Sequence, residues 1–164
     1  MSWRRAAIAL GANLGDRAAA LASARRALRA LDGVVVLGAV PDVVTAPVGP
    51  VVQSDFLNGM VLVRTTRAPE ALLAALHAIE AAHGRTRAVP GGPRTLDLDL
   101  VWMEGVHRDE PACVVPHPAL GDRPWVPAQL TALVGRGPVS EALAAIAARP
   151  CADPRRAGAD RSPS

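Results

Sequence analysis

The stretch TLDLDLVWM, residues 95–103, alternates polar and apolar side chains without a break until its end. A period of two is the mark of a strand that lays one face on a core. Leu96, Leu98, Leu100 and Trp102 are expected on one side, with Asp97 and Asp99 on the other. What precedes this strand bounds the fold. Residues 5–10 (RAAIAL) read as a buried first strand, closed by the turn formers of GANLGD. Asp16 is placed to cap a helix running to about Leu31, with Leu21, Leu28 and Leu31 along one side. After Asp32-Gly33, the valine-rich residues 34–44 predict a second strand, and residues 45–55 (TAPVGPVVQSD) an irregular loop. FLNGMVLVRT, residues 56–65, predicts a third strand. Thr66 can cap the next helix, with Pro69 in its first turn and Gly84 at its stop. Leu72, Leu73, Leu76 and Ile79 form the buried stripe of that helix.

Strand, helix, strand, strand, helix, strand is the split βαβ pattern. It predicts an α+β, ferredoxin-like sandwich, an antiparallel sheet with helices packed on one face. Beyond residue 103 come a short connection, the segment VVPHPALGDRPWVP and weaker helical signals at 126–134 and 139–148. One domain over residues 1–150 is expected, and a polar tail over 151–164 without a fold of its own.

A chain of 164 residues, half of them hydrophobic, can bury a core without disulfides or structural zinc. Cys113 and Cys151 stand far apart and outside any CxxC motif, which argues against both. The N-terminal apolar run, Ala6 to Leu10, is too short for a signal peptide or a membrane span, so a cytoplasmic protein is expected. All basic side chains are arginine, which either reflects GC-rich codons or serves anions, since guanidinium pairs with phosphate through two bonds at once. A net charge of +3 is too small to argue nucleic-acid binding by itself.

Two carboxylates on neighbouring same-side positions repel each other unless a cation lies between them. Magnesium suits such hard oxygen ligands and commonly shares them with substrate phosphates. A bare DxD is otherwise a solvated strand face. Here Arg85, Arg87 and Arg94 fall in the loop RTRAVPGGPR that enters the strand. Guanidinium groups beside metal-binding acids are what a polyphosphate needs. Glu80, at the edge of the apolar stripe, is either a boundary charge or a ligand contact. His77 and His83 read as surface residues. His117, set between prolines in VPHPAL, is either aimed at phosphate or structural. Asn58 interrupts an apolar strand with an amide, and Phe56, two residues earlier, shares its face. The pair suits stacking plus edge recognition of a heterocycle, with core packing the rival for Phe56.

Together the stretches IALGANLGDR, TAPVGP, QSDFLN, IEAAHGRTR, GPRTLDLDL and VPHPAL-DR resemble the 6-hydroxymethyl-7,8-dihydropterin pyrophosphokinase family, in order and near its spacing, over roughly residues 6–130. GPRTLDLDL is the most specific of them. The resemblance implies transfer of pyrophosphate from ATP to 6-hydroxymethyl-7,8-dihydropterin in folate biosynthesis, with AMP as the other product. It implies Asp97 and Asp99 as ligands of two Mg2+ ions, and Arg85 and Arg94 as arginines that assist the transfer. Arg87, His117 and Arg123 would contact phosphate, and Glu80 would lie near the nucleotide. Phe56, Asn58 and Trp125 would form the pterin pocket, beside Thr45 and Val48. Small-molecule partners, no nucleic acid, no membrane and a monomer are expected.

The chain also departs from the family. The tryptophan usual before GPR is replaced at Pro90-Gly91 in a loop one residue shorter, and Ala12 stands for a serine. After Trp125 the ending reads VPAQL. The changed loop leaves a rival reading, a relative that binds ATP or pterin without the standard reaction. A nucleic-acid module on the same fold is the other rival, disfavoured by scarce aromatics and paired acids.

Overall fold

The computed structural model describes residues 2–84 and 95–150. The first strand, β1 (Arg4–Ala12), runs through Gly11 and Ala12, two residues into the expected turn. Asp16 caps α1 (Arg17–Arg29) as its position predicted, its carboxylate accepting from the Ala19 N–H at 2.9 Å. The valine-rich run 34–44 is not one strand but two, β2 (Val34–Ala39) and β3 (Val43–Thr45). Pro41 lies between them and has no N–H to extend a ladder, while Asp42 turns to pair with Arg25 of α1. Strand β4 (Phe56–Thr65) takes both as antiparallel neighbours, β3 along residues 56–58 and β2 along 61–65. Helix α2 (Pro69–Ala82) starts on Pro69 at its first position, which moves the cap to Ala68, so Thr66 does not cap it. Gly84 follows with a φ of +70°, a conformation that favours glycine at a helix stop.

With β5 (Asp97–Met103), the sheet order is β2-β4-β1-β5, antiparallel throughout. Helices α1 and α2 lie on one face. Leu21, Leu28, Leu72, Leu76 and Ile79 bury there against Ile8, Leu10, Val61, Val63, Leu98 and Leu100. Each large side chain so buried contributes about 1.5–3 kcal/mol. This is the ferredoxin-like sandwich that the element order implied.

The C-terminal third adds to it. A hairpin, β6 (Arg108–Glu110) and β7 (Cys113–Val115), leads into α3 (Ala119–Asp122), α4 (Trp125–Val134) and α5 (Arg136–Ala147). These helices cover part of the opposite face, where Leu120, Val126, Leu130 and Val139 meet Ala7, Met60, Leu62, Val101 and Trp102. Trp102 therefore sits on the other side of the sheet from Leu98 and Leu100, against expectation. The reason is a bulge: the register passes from Ala7–Trp102 to Ile8–Leu100 and leaves Val101 as the extra residue. The Arg5 guanidinium covers the Trp102 ring at 5.8 Å from its centre.

Candidate active site

On the second face the helices stop short, and the uncovered end of the sheet is a cleft. Its floor follows from small side chains on the central strand. Register places Asn58, Gly11 and Asp97 in one row across β4, β1 and β5, and Met60, Ala9 and Asp99 in the next. Two strand spacings put the Asn58 and Asp97 backbones roughly 10 Å apart, with glycine between them. A side chain there would meet Asn58: a Cβ on Gly11 would lie 3.0 Å from Asn58 Oδ1.

Phe56 and Asn58 share a face of β4, and both border this cleft with Thr45, Val48 and Trp125. The Asn58 side chain is buried and oriented, its Nδ2 donating to Thr45 Oγ1 at 2.5 Å. The loop carrying Val48 and Gln53 is tied down from the turn after β1. Asn13 Nδ2 donates to Gln53 Oε1 and to the Ser54 carbonyl, each at 2.9 Å, and Arg17 donates to the Asp55 carbonyl at 2.8 Å. Trp125 opens α4, and Gln129, one turn further on, donates from Nε2 to the Asn58 carbonyl at 3.3 Å. Helix α4 is thereby fixed to the strand that carries the amide.

A second cleft lies beyond the acids, between α2 and the β6–β7 hairpin, with Leu73, His77, Glu80, His117 and Cys113 on its walls. Asp97, Asp99 and Arg123 border both clefts. Asp97 is buried, whereas the Asp99 side chain keeps 26% exposure. Glu80 is buried as well, and its Oε1 accepts from the Leu98 N–H at 2.8 Å, between the two aspartates. Strand β5 is an edge of the sheet, so its outward N–H groups need partners off the ladder. Glu80 supplies one.

His117 Nδ1 accepts from the Ala119 N–H at 3.0 Å, so in the neutral ring the proton sits on Nε2, which faces Asp99 Oδ1 at 3.8 Å. That separation is too long for a hydrogen bond and becomes an ion pair only when the imidazole is protonated. His83 instead bridges helices, bonding the Ile79 carbonyl at 2.8 Å and Ser23 Oγ at 2.9 Å. Cys113 is a free buried thiol, and burial pushes its pKa up. A thiol so placed stays protonated and is a poor nucleophile.

Arg85, Arg87 and Arg94 lie outside the described residues, as do Cys151 and the tail expected over 151–164. The other candidate residues converge on the two clefts. Three positions were passed over in the sequence: Gly11, Gln53 and Gln129. Gln129 carried a usable signal, because four residues from Trp125 is one helical turn and the same face. Among the described residues no group of three or more metal-binding side chains occurs. Two carboxylates on one strand face nevertheless fit magnesium, which completes its shell with water and phosphate oxygens.

The model of the 7,8-dihydro-6-hydroxymethylpterin-pyrophosphokinase family matches residues 7–135. A 2-amino-4-hydroxy-6-hydroxymethyldihydropteridine pyrophosphokinase of Methylorubrum extorquens is 38% identical over 145 residues, covering 85% of this chain and 92% of the relative. The protein of the same name from Bacillus subtilis is 39% identical over 123 residues, covering 75% and 74%. That from Pseudomonas aeruginosa is 37% identical over 123 residues, covering 75% and 76%. On the extent of these matches, the chain belongs to the 7,8-dihydro-6-hydroxymethylpterin-pyrophosphokinase family.

Proposed function

We propose that this chain transfers the pyrophosphoryl group of ATP to the hydroxymethyl group of 6-hydroxymethyl-7,8-dihydropterin, as a step of folate biosynthesis. The observation that carries this reading is the pair of clefts meeting at Asp97 and Asp99. One cleft has aromatic walls and an oriented amide, as a flat heterocycle with a polar edge requires. The other leads away from the acids toward α2 and the hairpin, where a nucleotide fits. The substrate hydroxyl oxygen bonds to the β-phosphorus as the bond from that phosphorus to the α,β-bridging oxygen breaks. AMP leaves with that electron pair, and the hydroxyl proton passes to solvent.

No side-chain nucleophile is needed, and the Cys113 thiol is unsuited to be one. The work left to the protein is alignment and charge stabilisation. Phe56 and Trp125 clamp the ring, Asn58 reads its edge, and Thr45 and Val48 complete that wall. His117 Nε2, Arg123 and Arg87 donate to phosphate oxygens. Glu80 lies beside the nucleotide and holds β5 in place. Asp97 and Asp99 would hold magnesium, two ions in this reading, and the metal would supply neutralisation of phosphate charge. Arg85 and Arg94 stabilise that charge in the transition state, so loss of Arg94 lowers kcat far more than it raises KM, and Lys restores only part. Among the described residues no helix is long and apolar enough to cross a membrane, and we place the enzyme in the cytoplasm as a monomer.

The test is product stoichiometry. ATP, the reduced pterin and Mg2+ should yield AMP and pterin diphosphate one for one. Release of ADP or orthophosphate, or AMP formation independent of pterin, would overturn the reading.

A further inference from the structure

Gln129 is a polar side chain with only 8% of its surface exposed, in the VPAQL segment of α4. It follows Trp125 by one turn of α4, faces the same way and borders the same cleft. Half of its amide is used: Nε2 donates to the Asn58 carbonyl. Its Oε1 accepts no hydrogen bond from the described residues, yet it is not among the unpartnered oxygens sealed from solvent. Gln129 lines the cleft, and this acceptor has no donor among the described residues. Asn58 is arranged in the same way, with Nδ2 committed to Thr45 and Oδ1 over Gly11.

We infer that Gln129 is a specificity-determining residue for the heterocycle, its Oε1 accepting a hydrogen bond from an N–H on the ring's polar edge. This rests on the pterin reading above and adds to it a contact from α4. The two amides then present acceptors to one ligand, which selects a ring with N–H donors over one that offers only acceptors. A ligand without the donor would leave Gln129 Oε1 unpaired in a closed site, which is costly.

The test uses the full chain with Gln129→Leu and Gln129→Met, each checked for folding by circular dichroism. Titration calorimetry would measure binding of 6-hydroxymethyl-7,8-dihydropterin and, separately, of a non-hydrolysable ATP analogue with Mg2+. Both variants should bind the pterin about tenfold more weakly, with ATP-analogue affinity within about twofold of wild type. Unchanged pterin affinity in a folded variant would overturn the inference. So would equal loss for both ligands, which would make Gln129 only a strut between α4 and β4. A wild-type chain that binds no pterin would overturn the functional reading and this inference together.

Discussion

The two faces of the sheet are built to different specifications. Against α1 and α2 the strands present Ile8, Leu10, Val61, Val63, Leu98 and Leu100, large side chains that leave no room. On the other face the same strands present Ala7, Ala9 and Gly11 down the centre, with Asn58 and Asp97 on either side of the glycine. Close packing stabilises the first face. The second is filled at one end by α4 and α5 and left hollow at the other, where two acids of one strand lie side by side. One strand serves both purposes: Leu98 and Leu100 anchor β5 in the core while Asp97 and Asp99 face the cleft. The difference teaches that stability and chemistry are separated by side-chain parity, so substitutions one residue apart should fail in different ways.

The largest effect should come from the hollow face. Asp97→Ala should lower turnover by about 10²–10³-fold or more, since the phosphate charge would lose its metal-mediated stabilisation. Its melting temperature should fall less than that of a core truncation, because no large apolar cavity opens. Leu76→Ala, on the packed face, should do the reverse. The cost should be about 2–5 kcal/mol in denaturant unfolding, with turnover near normal in whatever remains folded. If Asp97→Ala unfolded the protein, or Leu76→Ala cost nothing, the division between the faces would be wrong.

Asn58→Ala sharpens the comparison within the cleft. It should weaken pterin binding by about 1–3 kcal/mol and leave ATP binding close to wild type, as read by calorimetry. Equal losses would give Asn58 a structural role. The smallest effect belongs to the far end of the β1–β5 pair, away from the cleft. Glu104 accepts a hydrogen bond from Arg5 at 2.6 Å, and that bond holds its carboxyl below the usual range. A depressed folded pKa adds stability above the unfolded pKa, and the gain is lost as pH falls through the folded value. Both side chains are over 40% exposed, so Glu104→Gln should cost less than about 1 kcal/mol at neutral pH. The difference between variant and wild type should vanish in acid. A difference that persisted there would show that the cost came from packing.

Much of this was legible in the chain because it depends on local pattern. The Asp16 cap, the leucine stripe of α2 and the position of Asp97 and Asp99 opposite Leu98 all follow from period and turn chemistry. Trp102 was not legible, because its side is set by a bulge that exists only in pairing with β1, ninety-odd residues earlier in the chain. The split of residues 34–44 had a visible cause in Pro41, outweighed by the run of valines around it. Strands β6 and β7, three residues each, are too short to carry a period. Gln129 was legible only in part: its spacing from Trp125 puts both on one face of α4, but its bond to the Asn58 carbonyl is a tertiary contact that no local spacing announces. The roles of Arg85, Arg87 and Arg94 rest on sequence and family alone.

A crystal structure of the chain with 6-hydroxymethyl-7,8-dihydropterin, Mg2+ and a non-hydrolysable ATP analogue would test the account most directly. The account predicts the pterin between Phe56 and Trp125, metal density on Asp97 and Asp99, and the nucleotide running past His117 toward Glu80. Metal bound away from both aspartates, or a pterin outside the Asn58 cleft, would contradict it.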